Sequence, residues 1–362
     1  MPRSVSVAAL RRQIDRIDDR LLELLNARAA LALRIGAHKA RANAGVYDPA
    51  REKVVLRRLT RLNGGPLPAG AVRAVFAEIM SAGRALQQRL RVAFFGPEAT
   101  WTHLAARRQF GDGADYVPVA TIPEVFQAVE RRQVDLGVVP VENSTEGAVA
   151  RTLDLLVDSP LSVCGEVALP VRHCLLVRRG TGLTGIRRVT AHPQALAQCR
   201  GWLASTLPGV RTEEASSNAR AAERARDEAG TAAIAAEAAA ATYGLVVLVP
   251  AIQDEVGNTT RFLILGRQDC ARPSGDDKTS VVFSVRDEVG ILVRMLKPFA
   301  AHEIDLIKIE SRPLRERPWE YYFFIDLKGH RAEPRVQRSL AEVERRALRF
   351  RLLGSYPAAP EA

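Results

Sequence analysis

Nowhere in the 362 residues is there an apolar run that reads as a membrane span. The most apolar stretch, residues 232–249, holds Glu237 and a Tyr243-Gly244 break. It reads as a buried helix followed by a strand. The opening MPRSVSV has no long apolar h-region, so no secretory signal is expected. Cysteine is scarce: Cys164, Cys174, Cys199 and Cys270 form no C-x-x-C pair and have no histidine at metal spacing. That pattern fits ordinary thiols in a reducing, cytoplasmic compartment and implies no metal. No Walker loop and no G-x-G-x-x-G occurs, so no nucleotide is expected. Short repeats and a low-complexity tail are also missing.

What is present is a long chain with an uneven charge. A length of 362 residues exceeds one ordinary core, so two or three domains are expected. The 47% hydrophobic and 26% charged fractions are those of a globular protein. Residues 1–91 hold 18 Lys and Arg against 7 Asp and Glu, while the remainder is balanced at 34 of each. The whole excess therefore sits in the first quarter. It suits either an acidic macromolecule or a pocket for a small polyanion, and charge alone does not separate these.

Residues 7–38 carry Leu10, Ile14, Ile17, Leu21, Leu24, Leu31 and Ile35 at helical steps, with Ser6 as N-cap and a break at Asn43-Ala44-Gly45. A second helix should open at Asp48-Pro49 and end at Asn63-Gly64-Gly65-Pro66. A third should cover 71–90. The first helix has no long neighbour in its own chain, so a partner subunit is its expected cover. From Arg91 to about Gly266, short strands alternate with helices, which predicts a mostly parallel α/β region. Residues 267–278 read as a polar linker. The last segment predicts strand 279–286, helix 289–301, strands 304–312 and 319–328, helix 333–347 and strand 349–356. That order is ferredoxin-like.

In the helical segment, Arg11, Arg28 and Lys39 lie on or beside the apolar seam, where cations need a counter-charge. Arg28 and Lys39 share a face about 16 Å apart, whereas Arg11 is about 25 Å from Arg28. Arg11 can reach the same small ligand only from another chain. Asp48, Arg51 and Glu52 crowd the start of the second helix, and Gln87 aligns with Phe76 and Met80. Each alone would read as a solvated charge or a cap. Together, at this spacing, they resemble the all-helical chorismate mutases. The resemblance implies an intertwined homodimer that rearranges chorismate to prephenate by positioning and electrostatics. It assigns Arg11 of the partner chain and Arg28 to the carboxylates, and Lys39 and Gln87 to the ether oxygen. Glu52 and the backbone near Asp48 would hold the ring hydroxyl, and Arg51 would add positive potential. Gly83 departs from the hydroxyl residue common at its place.

Four loops of the α/β region run from strands into helices: GPEATWT at 96–102, ENSTEG at 142–147, HPQ at 192–194 and SSN at 216–218. Such loops bind anions, and carboxylates suit them, although any one alone would read as a cap. VPVENSTEG, HPQALAQC, the AAIA…YGL stretch and Thr260-Arg261-Phe262 together resemble prephenate dehydratase over residues 91–267. The resemblance implies a two-lobed fold like periplasmic solute-binding proteins, with prephenate in the cleft and phenylpyruvate, water and carbon dioxide as products. It makes Thr260 the partner of the departing hydroxyl. Arg261 and Phe262 would shape the pocket, and Glu142, Asn143, Ser144, Thr145 and Gln198 would line it. Ala99, Trp101 and Ala191 depart from the family's usual residues. His192 reads as structural.

Residues 279–356 resemble the ACT domain, through Gly290-Ile291-Leu292-Val293 and Glu310-Ser311-Arg312-Pro313. The resemblance implies that phenylalanine binds these residues and inhibits as an end product, with Ile291 larger than usual. Three domains are thus expected, at 1–90, 91–267 and 279–356, with no cofactor, no nucleic-acid partner and no membrane. The rivals are arogenate as substrate, and a non-catalytic amino-acid sensor on a basic nucleic-acid-binding bundle. The acidic Asp48 and Glu52 and the lack of a helix-turn-helix count against the latter.

Overall fold

The computed structural model describes residues 6–42, 45–286, 288–313 and 321–359. Asn43, Ala44 and the first two residues of the strand expected at 319–328 lie outside this set. Contacts divide the chain into a helical unit and a larger unit. The start of the second helix, Pro49–Lys53, belongs to the larger one, and Leu90 and Phe110–Asp115 belong to the helical one.

Three helices open the chain: α1 (Val7–Arg41), α2 (Pro49–Leu62) and α3 (Ala69–Gln87). Ser6 caps α1, its extended backbone letting the hydroxyl accept from the Ala9 N–H at 3.3 Å. The third helix stops three residues earlier than expected because Gln88 turns extended and Leu90 joins a strand. No residue of α1 is buried within the chain. The seam from Leu10 to Ile35 is 47–59% exposed at all seven positions, a continuous apolar stripe rather than scattered surface leucines.

The larger unit begins with a lobe made from β1 (Leu90–Phe95), α4 (Trp101–Phe110), β2 (Ala114–Val119), α5 (Ile122–Glu130), β3 (Leu136–Asn143), β4 (Gly147–Ala148), α6 (Ala150–Asp158) and β5 (Ser162–Pro170). The chain then crosses to a second lobe: β6 (Cys174–Val177), β7 (Arg188–Ala191), α7 (Pro193–Gln198), α8 (Arg200–Thr206), β8 (Arg211–Glu214), α9 (Asn218–Asp227), β9 (Thr231–Ala235), α10 (Glu237–Tyr243) and β10 (Val246–Val249). It returns through β11 (Thr259–Gly266). The first sheet runs β2-β1-β3-β11-β5 and the second β10-β6-β9-β7-β8.

Both sheets are mixed, not mostly parallel. β1 and β3 pair parallel, as do β7 with β8 and β9. The returning β11 is antiparallel to β3 and β5, and β6 is antiparallel to β9 and β10. A strand that re-enters a sheet from the other lobe need not follow the local crossover rule. Residues 232–249 also hold a strand before their helix: β9 is wholly buried, and Gly244 at φ 68° ends α10.

The last six elements are β12 (Asp277–Ser284), α11 (Ile291–Ala301), β13 (Leu306–Pro313), β14 (Tyr321–Lys328), α12 (Pro334–Arg346) and β15 (Arg349–Pro357), in the expected ferredoxin-like order. Their antiparallel sheet runs β13-β14-β12-β15. Alternation along β12 explains how it sits. Val281 and Phe283 pack with Met295, Phe299 and Val343 of the helices. Val282, with Phe324, Leu353 and Tyr356, packs with Val141, Val163 and Leu263 of the first lobe. Residues 267–278 are consequently no loose linker. Cys270 is buried with its carbonyl 2.9 Å from His330 Nε2, and Asp269 pairs with Arg331 at 2.8 Å.

Candidate active sites and effector site

The two lobes enclose a cleft of about 480 Å³. The loop after β1 supplies Ala99 and Thr100, and α4 supplies Trp101. The end of β3 supplies Asn143, and α7 with its N-cap supplies His192, Gln194 and Gln198. Ser217 and Asn218 open α9, and β11 with its approach supplies Asn258, Thr260 and Phe262. A strand turns alternate residues to alternate faces, so 258, 260 and 262 share the cleft face while Arg261 faces away.

Thr260 is registered opposite Asn143. Asn143 Nδ2 donates to Thr260 Oγ1 and to Asn258 Oδ1, both at 2.8 Å. Asn143 Oδ1 accepts from the Thr145 N–H (3.0 Å), the Thr145 hydroxyl (2.6 Å) and the Glu146 N–H (3.3 Å). Three donors on one oxygen leave no choice of amide orientation, so Thr260 Oγ1 is an acceptor toward Asn143 and keeps its own hydrogen for another partner. Gln198 Oε1 accepts from Asn258 Nδ2 (3.0 Å) and lies 2.8 Å from His173 Nε2. Gln198 Nε2 donates to Thr145 Oγ1 and Glu146 Oε1, both at 3.3 Å. Burial pushes the Glu146 carboxyl above its ordinary value.

The remaining sequence-nominated residues divide. Ser144 does not line the cleft; it clamps β3 to β11, its hydroxyl accepting from the Thr259 N–H at 2.9 Å. Glu142 and Arg261 face the opposite side, toward the ferredoxin-like sheet. There Arg261 meets Glu166 at 2.7 Å, Asp326 at 2.6 Å, Glu142 at 3.4 Å and the Tyr356 hydroxyl at 3.1 Å. Lys308 reaches Glu142 at 2.9 Å and Lys278 reaches Glu166 at 2.7 Å. Burial works against charge at Arg261, yet Asp326, Tyr356 and Glu166 hold its guanidinium protonated well above its ordinary value. The expectation that Arg261 shapes the pocket is corrected: its side chain belongs to a buried ion network behind the cleft.

His192 caps α7, accepting from the Gln194 N–H through Nδ1 at 3.4 Å, and lines the cleft as well. Ala99 adopts φ 61°, a left-handed backbone where glycine would be unstrained. Ala191 is fully buried in the second lobe's core and does not line the cleft. Sequence reasoning missed Asn258, Glu146 and His173. Asn258 carried a signal, lying two residues before Thr260 on the same strand face. His173 carried none, being a lone histidine between a strand end and the next strand.

In the helical unit, Arg28 of α1 donates to the Ile79 carbonyl of α3 at 3.3 Å. A side chain at Gly83 would meet Arg28 Nη1 at 3.3 Å. Gln87 lies against Gly36, with Nε2 on the Gly83 carbonyl at 3.1 Å and Oε1 buried without a partner among the described residues. Lys39 Nζ donates to the Val46 carbonyl at 3.0 Å. Arg11 is exposed near the far end of α1. Asp48 precedes α2, and Arg51 and Glu52 lie in its first turn. In the ferredoxin-like domain, Gly290 opens α11 at φ 76°, followed by Ile291, Leu292 and Val293. Glu310, Ser311, Arg312 and Pro313 lie on the sheet-edge strand β13, with Arg312 on Asp154 at 3.1 Å.

Family models match three segments: chorismate mutase type II at residues 10–88, prephenate dehydratase at 92–270 and the ACT domain at 279–345. A bifunctional chorismate mutase/prephenate dehydratase of Aquifex aeolicus is 44% identical over 354 residues, covering 97% of both chains. One from Pseudomonas aeruginosa is 46% identical over 356 residues, again covering 97% of both. A solved prephenate dehydratase from Arthrobacter aurescens in complex with L-Phe is 36% identical with a TM-score of 0.69, covering 74% of this chain and 90% of that one.

Proposed function

The chain belongs to the bifunctional chorismate mutase/prephenate dehydratase family, and from that footing we infer which of its residues do the work. It converts chorismate to prephenate, and prephenate to phenylpyruvate with loss of water and carbon dioxide. A non-catalytic sensor is set aside by that membership. Arogenate is disfavoured by the fused mutase, which makes prephenate.

In the dehydratase step the bond to the ring carboxylate breaks and its electron pair enters the ring. The C–O bond breaks with its pair on oxygen, and a proton makes that oxygen water. The observation that carries the assignment is the Asn143–Thr260 pair: the threonine accepts from the amide, so its hydrogen is free to point at the departing hydroxyl. Phe262 and Trp101 provide apolar wall for the carbon dioxide. Gln198 and Asn143 bound the other side; Thr145, expected there, does not line the cleft but bonds both of their amides. In the mutase step Arg28, Lys39 and Gln87, with Arg11 of a second copy, surround a dianion; Asp48, Arg51 and Glu52 complete the set. The exposed seam of α1 supports a homodimer. Phenylalanine acts at Gly290–Val293 and Glu310–Pro313, and the ion network behind the cleft gives that domain a physical connection to β3 and β11. The four buried free thiols fit a cytoplasmic enzyme.

The test is product analysis from chorismate. Thr260→Val removes the hydroxyl and keeps the shape, so dehydratase turnover should fall by about 100-fold or more while prephenate accumulates. Undiminished phenylpyruvate would remove Thr260 from the mechanism.

A further inference from the structure

We propose that His173 is a positioning residue of the dehydratase, holding the Gln198 amide with its N–H₂ edge toward the cleft lip. The inference rests on the dehydratase reading of the cleft and adds a residue to it. His173 follows β5, is 2% exposed, and lines the cleft with Trp101 edge-on at 6.2 Å. Its Nε2 lies 2.8 Å from Gln198 Oε1. An amide oxygen cannot donate, so Nε2 carries the ring hydrogen. Nδ1 is then a bare acceptor, buried and without a partner among the described residues. Burial lowers the ring's proton affinity, which keeps the imidazole neutral.

The second donor on Gln198 Oε1 is Asn258, whose own oxygen accepts from Asn143. The hydrogen bonds thus run in one sense from Asn143 through Asn258 to Gln198, and His173 closes the far end. Were Gln198 to turn over, its Nε2 would face two donors, and its oxygen would face the Glu146 carboxyl. The bonds by which Gln198 Nε2 ties Thr145 and Glu146 at the cleft lip would then be lost. Either loss of the imidazole N–H or a turned Gln198 weakens the same step, so His173 acts through Gln198 and not on the reacting atoms.

The experiment uses the full chain, with mutase activity as the folding control. His173→Leu should lower dehydratase kcat/KM by about tenfold or more, the size of a lost buried hydrogen bond. His173→Gln places an amide N–H near the Nε2 position and should recover most of it, whereas His173→Asn, which is too short, should not. Joined to Gln198→Leu, His173→Leu should cost nothing further. Multiplying losses in the double variant would overturn the proposal, as would equal activity in the Gln and Asn variants. The Gln and Asn pair decides alone if the Leu variant is unstable. Thr260→Val separates the two levels: if it is inactive while every His173 variant is normal, only the positioning role fails. If Thr260→Val is fully active, the cleft reading itself fails.

Discussion

The two faces of β11 are built from opposite materials. The cleft face carries Asn258, Thr260 and Phe262, neutral groups joined by amide and hydroxyl hydrogen bonds. One residue over, Arg261 enters a buried cluster of Glu142, Glu166, Asp326, Lys278 and Lys308. A neutral donor set suits a reaction whose charge must leave with the product, because no fixed cation holds the outgoing hydroxide. A dense ion network suits a junction, because each charge needs its partners in place and responds when one moves. The Thr-Arg-Phe tripeptide therefore serves two tasks through strand alternation alone.

The largest effect expected from breaking this contrast lies on the charged face. Arg261→Met would leave the buried Asp326 carboxylate without its cation and Glu166, whose side chain is fully buried, with Lys278 alone. Removing one partner of a buried network costs about 3–5 kcal/mol, so denaturant unfolding should shift by that amount. An unchanged midpoint would mean that the network is not formed. On the neutral face, Asn143→Asp keeps the backbone donors but turns an acceptor toward Thr260. The threonine hydrogen is then drawn away from the cleft, and dehydratase kcat should fall by about 100-fold with folding intact. A wild-type rate would show that amide polarity does not matter there. The smallest effect is at Ala99, whose φ of 61° strains an alanine. Ala99→Gly should raise stability by about 1 kcal/mol in thermal unfolding, and a loss would mean the strain is relieved in solution.

Much of this was legible beforehand. The Ser6 cap, the α1 periodicity, the second helix opening at Pro49 and the order of the last six elements follow from local chemistry that tertiary packing did not override. The cleft residues Thr260, Asn143 and Gln198 were legible through their motifs. Arg261 and Glu142 were misplaced for a physical reason. Alternation tells that neighbours part company, but not which face a second domain will cover. The packing of residues 267–278 was hidden likewise, because polar turn-rich sequence looks the same whether its groups meet water or, as Asp269 does, an arginine. Strand β9 escaped because its five residues, Thr231–Ala235, four of them apolar, carry no period of their own.

The division between a chemical face and a connecting face is tested most directly at Lys308. It sits two residues before Glu310 on β13 and pairs with Glu142, the neighbour of Asn143. The measurement is the phenylalanine dose–response of prephenate turnover in the full chain carrying Lys308→Met. Turnover without phenylalanine should stay within about threefold of the unaltered chain, as for a residue that touches no reacting atom. Inhibition should require about tenfold more phenylalanine, an ordinary coupling free energy lost. Inhibition at unchanged concentrations with turnover intact would contradict the account, and so would loss of turnover itself.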